Sequence, residues 1–204
     1  MQLIGEGLSA VRDTLQLFEN LSFELEGGQS LLVIGENGTG KSTLLRIIAG
    51  LLRPHTGAVR FVADDMRNLR DSMHYLSHQN AMKPNLSVQQ NLAFWEVFDR
   101  AEKKSQLTSI DAALDKVGLL GKEALPFGVL STGQKRRVAI ARLLLNDRPV
   151  WLLDEPTAGL DARSTETLAH EMRLHTRKGG IVIAATHLPL GLDEGMILRL
   201  GEPV

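Results

Sequence analysis

Leu31-Leu32-Val33-Ile34-Gly35-Glu36-Asn37-Gly38-Thr39-Gly40-Lys41-Ser42 decides the fold. Four apolar residues in a row read as a strand buried on both faces. The next eight match the pattern Gly-x-x-x-x-Gly-Lys-Ser. Leu44, Leu45, Ile47, Ile48, Leu51 and Leu52 then recur at helical spacing, which predicts a helix ended by Pro54. Glycines let the loop curl so that several backbone N–H groups face one cavity, and the following helix adds the positive end of its dipole. That arrangement suits a nucleotide phosphate. Lys41 supplies a full charge for the β- and γ-phosphates, and Ser42 a hydroxyl for Mg²⁺. The candidate nucleotide-binding residues of this segment are Gly35, Glu36, Asn37, Gly38, Thr39, Gly40, Lys41, Ser42 and Thr43.

A second stretch points to the same chemistry. Val150-Trp151-Leu152-Leu153 reads as a strand, and Asp154-Glu155 follow it. Two acids after a strand are by themselves a solvated turn. In a sheet with a phosphate loop, however, ligands gather at the carboxyl ends of the strands. There Asp154 can hold Mg²⁺, and Glu155 can orient and deprotonate a water aimed at the γ-phosphate.

The rest of the chain divides by pattern. Residues 1–30 read as short alternating segments, with Leu21, Phe23 and Leu25 sharing a face and Gly27-Gly28 turning the chain. Val59, Phe61 and Ala63 suggest one more strand. Between Ser77 and Leu145 strand patterns disappear. Ser87 can cap a helix carrying Leu92, Trp95 and Phe98 on one stripe, expected to be core. Ile110, Leu114 and Val117 form a second stripe, and Val138 to Leu145 a third apolar helix. Strand character returns at Ile181-Val182-Ile183-Ala184-Ala185 and at Met196 to Leu200, with a helix from about Ala162 to Thr176 stopped by Gly179-Gly180. Buried strands alternating with helices predict an α/β fold on a mostly parallel sheet with an all-helical insertion.

Composition narrows the class. The 204 residues suit one domain, and 43% hydrophobic content fills a core. The absence of cysteine removes disulfides, thiolate metal sites and cysteine nucleophiles. A net charge of −1 gives no footprint for nucleic acid, so no nucleic-acid partner is expected. The longest apolar runs are strand-sized, far below the ~20 residues of a spanning helix. Met1 to Ser9 lacks the basic and apolar regions of a signal peptide. The expectation is a soluble intracellular chain that reaches a membrane only through a partner.

Leu130-Ser131-Thr132-Gly133-Gln134 closely resembles the LSGGQ signature of ABC ATPases. Gln79 resembles their Q-loop glutamine, Ala158-Gly159-Leu160-Asp161 their D-loop, and His187 their switch histidine, all in the family's order. The resemblance covers nearly the whole chain. It implies an ABC cassette: a P-loop NTPase core with an N-terminal antiparallel β sub-domain and an inserted helical sub-domain. Residues 1–204 would form one such domain, with about 1–76 and 146–204 as catalytic core and about 77–145 as helical sub-domain.

The resemblance also implies a head-to-tail dimer of two copies enclosing two ATP molecules. Ser131, Gly133 and Gln134 would face the nucleotide of the opposite copy, with Asp161 beside it. Glu155 would be the general base and His187 a γ-phosphate contact. Gln79 would sense Mg²⁺ and the attacking water, completing a metal set of Ser42, Gln79 and Asp154, and Lys41 would complete the catalytic set. Two positions depart from the pattern. Thr132 stands where glycine is commonest. The position where cassettes place an adenine-stacking aromatic falls on Arg12, whose planar guanidinium can stack or stand in solvent.

A lone small cassette implies a transporter subunit whose membrane-spanning subunits are separate chains, with this chain held peripherally at the cytoplasmic face of the inner membrane. Residues 70–95 and the Gly179 to Ile183 run resemble the haem-exporting branch of the family that serves bacterial cytochrome c maturation. The alternatives are another exporter, for lipoprotein release or ions and drugs, or a regulatory cassette without transport. Direct haem binding by this chain is not expected, since its six histidines form no ligand pair. Met82 and Lys83 are candidates for an exposed contact with a membrane subunit. Lys135-Arg136-Arg137 reads as a solvated face or as positive potential near the facing nucleotide.

Overall fold

The structure, a computed structural model, describes residues 1–63, 69–99, 108–186, 190 and 195–201. The chain forms two compact units. The first comprises Met1–Tyr75, Arg148–Pro156 and Met172–Val204, and the second Leu76–Asp147 and Thr157–Glu171.

In the first unit, β1 (Gln2–Arg12) and β2 (Leu15–Glu26) form an antiparallel hairpin, and β4 (Thr56–Val62) pairs with the other side of β1. The segments read as short are two strands of 11 and 12 residues. The β1–β2 register shifts between Gly5 and Leu8 and again before Ala10. Such bulges place consecutive residues on one face and break the period-two signal: Leu8, Ser9 and Ala10 are all buried.

The second sheet of this unit has the order β5 (Met73–Leu76), β6 (Val150–Asp154), β7 (Ile181–Ala185), β3 (Ser30–Ile34), β8 (Met196–Arg199). β6 pairs with β7, β7 with β3 and β3 with β8, all parallel. β6 and β7 are buried at every position, which is why they read as unbroken apolar runs. Strand β5 was not foreseen. It is four residues long and contains His74, yet His74 is buried along with Met73 and Leu76.

Helix α1 (Lys41–Ile48) is shorter than its apolar pattern suggests. Gly50 takes φ +65°, its N–H bonds to Ile47 O at 2.9 Å, and Leu51 N–H bonds to Arg46 O at 2.9 Å. This left-handed cap stops the helix before Pro54, and Leu51 and Leu52 stand exposed.

The second unit contains α2 (Val88–Asp99), α3 (Ile110–Lys116) and α4 (Thr132–Leu145). α2 and α3 pack on α4 around the buried side chains of Leu92, Leu114, Val138 and Ile140. Helix α5 (Ala162–Arg177) begins in this unit and ends in the first. The stripe expected on α2 is only partly core. Leu92 is fully buried, Trp95 is half-buried, and Phe98 is 61% exposed. Phe94 and Phe98 turn outward instead: Phe98 stacks on Phe94 and meets Trp95 edge-on.

Candidate nucleotide site

β3 delivers the chain into the phosphate loop, and α1 leaves it. Gly40 caps α1 in the left-handed region at φ 102°, with the Phe18 ring and Leu17 packed against it so closely that a side chain would crowd them. Lys41 is buried, and its Nζ donates to Gly35 O at 2.7 Å and Glu36 O at 2.9 Å. The ammonium therefore arches back over the loop, with a third donor for a ligand. Thr39 Oγ1 donates to Glu36 O at 3.0 Å and braces the turn. Glu36, Asn37 and Gly38 are exposed, and the space beside Gly38 is open. Thr43 is half-buried in the first turn of α1.

Ser42 Oγ donates to Asp154 Oδ1 at 2.9 Å, tying the first turn of α1 to the end of β6. Asp154 is buried, where a carboxylate needs a hydrogen bond or a cation beside it. A serine hydroxyl and a carboxylate at hydrogen-bond distance, beside a phosphate loop, are the oxygen donors that Mg²⁺ takes. Glu155 follows at φ 44°. A non-glycine residue there carries strain of order 1–2 kcal/mol. Its N–H is held by Ala185 O at 2.9 Å, at the end of β7.

Tyr75 lies beside this group and was not picked out in the sequence. Burial, and then the Asp154 carboxylate, push its phenol above the ordinary tyrosine value, while the nearby Arg46 guanidinium pulls the other way. Its strand is too short and mixed to have announced it.

The second unit carries the signature. Ser131 caps α4: its Oγ accepts from Gln134 N–H at 3.2 Å, and Gln134 Oε1 accepts from Ser131 N–H at 3.0 Å. This reciprocal box fixes the helix start and leaves Ser131 exposed at its positive end. A Cβ on Gly133 would lie 2.7 Å from Gly159 O, so signature and D-loop touch backbone to backbone. Thr132 Cγ2 would lie 3.3 Å from a Cβ on Gly159, which places the variant threonine of the signature against the D-loop. Asp161 caps α5, with Ser164 N–H donating to its Oδ1 at 2.7 Å. That backbone hydrogen bond, above the other causes, holds the Asp161 carboxyl below the usual aspartate value.

Gln79 is exposed in the loop after β5, where Ser77 Oγ donates to Gln79 O at 2.7 Å. Met82 is half-buried and Lys83 exposed further along. Arg12 stands exposed at the tip of the β1–β2 hairpin. His187 lies outside the described residues. Arg136, read as part of a basic run, is buried.

A loop that cradles phosphate between β3 and α1, with an acid at the end of β6, defines a P-loop nucleotide-binding protein. The ABC transporter family pattern matches residues 18–158. The chain is 54% identical over 203 residues to a protein of Brucella abortus (strain 2308) described as cytochrome c biogenesis ATP-binding export protein CcmA, covering 99% of this chain and 92% of that one. It is 48% identical over 203 residues to a protein of the same description from Rhizobium johnstonii, covering 98% and 94%. Its fold is similar to the ATP-binding subunit of an ABC transporter, with a TM-score of 0.84 at 23% identity over 98% of this chain and 86% of that one. It is also similar to a dimeric ATP-binding cassette in a post-hydrolysis state with ADP and phosphate, with a TM-score of 0.79 at 24% identity over 97% and 94%. The chain belongs to the ABC transporter family, as an ATP-binding cassette.

The Gly133 packing is open to test. Glycine to alanine inside a helix ordinarily gains up to about 1 kcal/mol. Against a backbone oxygen that cannot yield, overpacking costs about 1–3 kcal/mol. Gly133→Ala should therefore lower stability to urea. An unchanged or raised midpoint would show that the signature and D-loop do not meet as described.

Proposed function

We propose that this chain is the ATP-hydrolysing subunit of an export system of cytochrome c biogenesis, with haem as the cargo class. The identity of about half across almost the whole chain to export proteins of that description supports the cytochrome c biogenesis system. Glu155, strained at φ 44° immediately after the buried Asp154, is the observation that carries the hydrolytic reading. Backbone strain retained beside a ligand group is expected where geometry matters for chemistry.

The phosphate loop would bind the β- and γ-phosphates through its N–H groups and Lys41. Ser42 and Asp154 would hold Mg²⁺, with Gln79 the third metal-side residue. The ion, when bound, withdraws charge from the β- and γ-phosphate oxygens. Glu155 would take the proton of a water whose oxygen attacks the γ-phosphorus, while the bond to the bridging oxygen breaks and ADP leaves with that electron pair. Ser131 and the Gly133 backbone, at the positive end of α4, would bind the γ-phosphate held by a second copy of the chain. His187 would contact that phosphate as well. Asp161 would stand beside the nucleotide, and Arg12 is proposed to stack on its adenine.

The functional unit would thus be a head-to-tail dimer enclosing two ATP molecules. Among the described residues no helix is long and apolar enough to cross a membrane. Separate membrane-spanning subunits would therefore hold the dimer peripherally at the cytoplasmic face.

Glu155→Gln keeps the side-chain shape but removes the base. It should bind ATP, fall in turnover by about a hundredfold or more, and elute as a dimer in saturating ATP. A variant that binds ATP yet stays monomeric would contradict the sandwich. The cargo is tested by purifying tagged chain from its native membranes. Membrane subunits of cytochrome c biogenesis should accompany it; subunits of another exporter in their place would overturn the assignment.

A further inference from the structure

The first two turns of α4 carry Lys135-Arg136-Arg137, and the three cations diverge because successive helical residues lie about 100° apart. Lys135 Nζ sits 5.9 Å from the centre of the Phe127 ring. Arg137 Nη1 donates to Val117 O at 3.0 Å and Gly118 O at 3.3 Å, the carbonyls just past α3. Arg136 turns inward and is only 4% exposed. Its Nη1 donates to Ser77 O at 2.8 Å and approaches Asn80 Oδ1 at 3.4 Å.

Those two acceptors lie on either side of Gln79. Ser77 Oγ closes the same loop onto Gln79 O at 2.7 Å. On α4, Ser131 is the cap from which the helix carrying Arg136 springs. A buried guanidinium near a helix N-terminus is disfavoured by desolvation and by the dipole together. A merely solvated charge would have no reason to stand there. These two bonds go to a loop that has no helix or strand ladder of its own.

We infer that Arg136 is a positioning residue that ties the Gln79 loop to the signature helix, so that Gln79 and Ser131 move as one body. The inference rests on the reading of Gln79 and Ser131 as nucleotide contacts. One guanidinium nitrogen, Nη1, carries two N–H donors, which serve the Ser77 carbonyl and the Asn80 amide oxygen together. Through this tie, a change at Gln79 in one copy is passed to the Ser131 that faces the nucleotide of the other.

The test compares the full-length chain with Arg136→Met, Arg136→Lys and, as a reference, Gln79→Ala. ATP turnover and amide hydrogen exchange are both followed. Arg136→Met should lower kcat about tenfold with KM within about twofold. Exchange at residues 78–81 should quicken at least about tenfold while residues 138–145 stay protected. Arg136→Lys should fall between wild type and Arg136→Met on both measures, and it carries the test alone if Arg136→Met does not fold. Unaltered exchange at 78–81 in a folded variant would overturn the tie, and so would unaltered kcat where Gln79→Ala is impaired. If Gln79→Ala itself turns over normally, the reading of Gln79 fails, and the exchange result still decides whether the tie exists.

Discussion

The hydroxyl of Ser42 donates to Asp154 across 112 positions of sequence, and the site depends on that bond. It joins the helix that follows the phosphate loop to the acidic end of β6. Without it the loop would remain a phosphate cradle, and Asp154 a buried carboxylate beside it. Hydrogen bonds to charged groups are worth about 1.5–3 kcal/mol, enough to fix a side chain but not to assemble two elements from afar. The sheet has already done the assembling. β3 and β6 both pair with β7 in parallel, so their carboxyl ends open on the same side.

That parallel sheet explains the sequence around the site. A strand covered on both faces must be apolar at every residue, and polar groups collect where it ends. β6 obeys this up to Leu153 and then delivers Asp154 and Glu155. β7 obeys it up to Ala185, whose carbonyl holds the strained Glu155. The second unit is ordered by other means. The reciprocal Ser131–Gln134 cap opens α4, and the glycine at 133 admits the D-loop backbone.

Much of this could be read from residues alone, because the chemistry demands fixed types at fixed spacings. The phosphate loop, the acids after β6, the signature and the D-loop each stood out as short strings. Most of what escaped the reading had no clear local signature. The hairpin of β1 and β2 was blurred by bulges that shift its period. β5 is four residues long with a histidine inside it. α1 stopped early on a glycine cap although its apolar spacing ran on. Phe98 looked like core because it shares a stripe with Leu92, yet the end of α2 turns that aromatic face outward. Arg136 was hidden in a basic run, since only the fold reveals which of three adjacent cations faces a neighbouring loop.

On the proposed function, Ser42 and Asp154 together make ATP binding depend on a divalent cation. Calorimetric ATP affinity, measured for wild type and Ser42→Ala with Mg²⁺ and with the metal chelated, tests it most directly. Wild type should bind ATP at least about tenfold more tightly with Mg²⁺, and Ser42→Ala should lose that difference while still binding the metal-free nucleotide. An undiminished Mg²⁺ dependence in Ser42→Ala would contradict the claim.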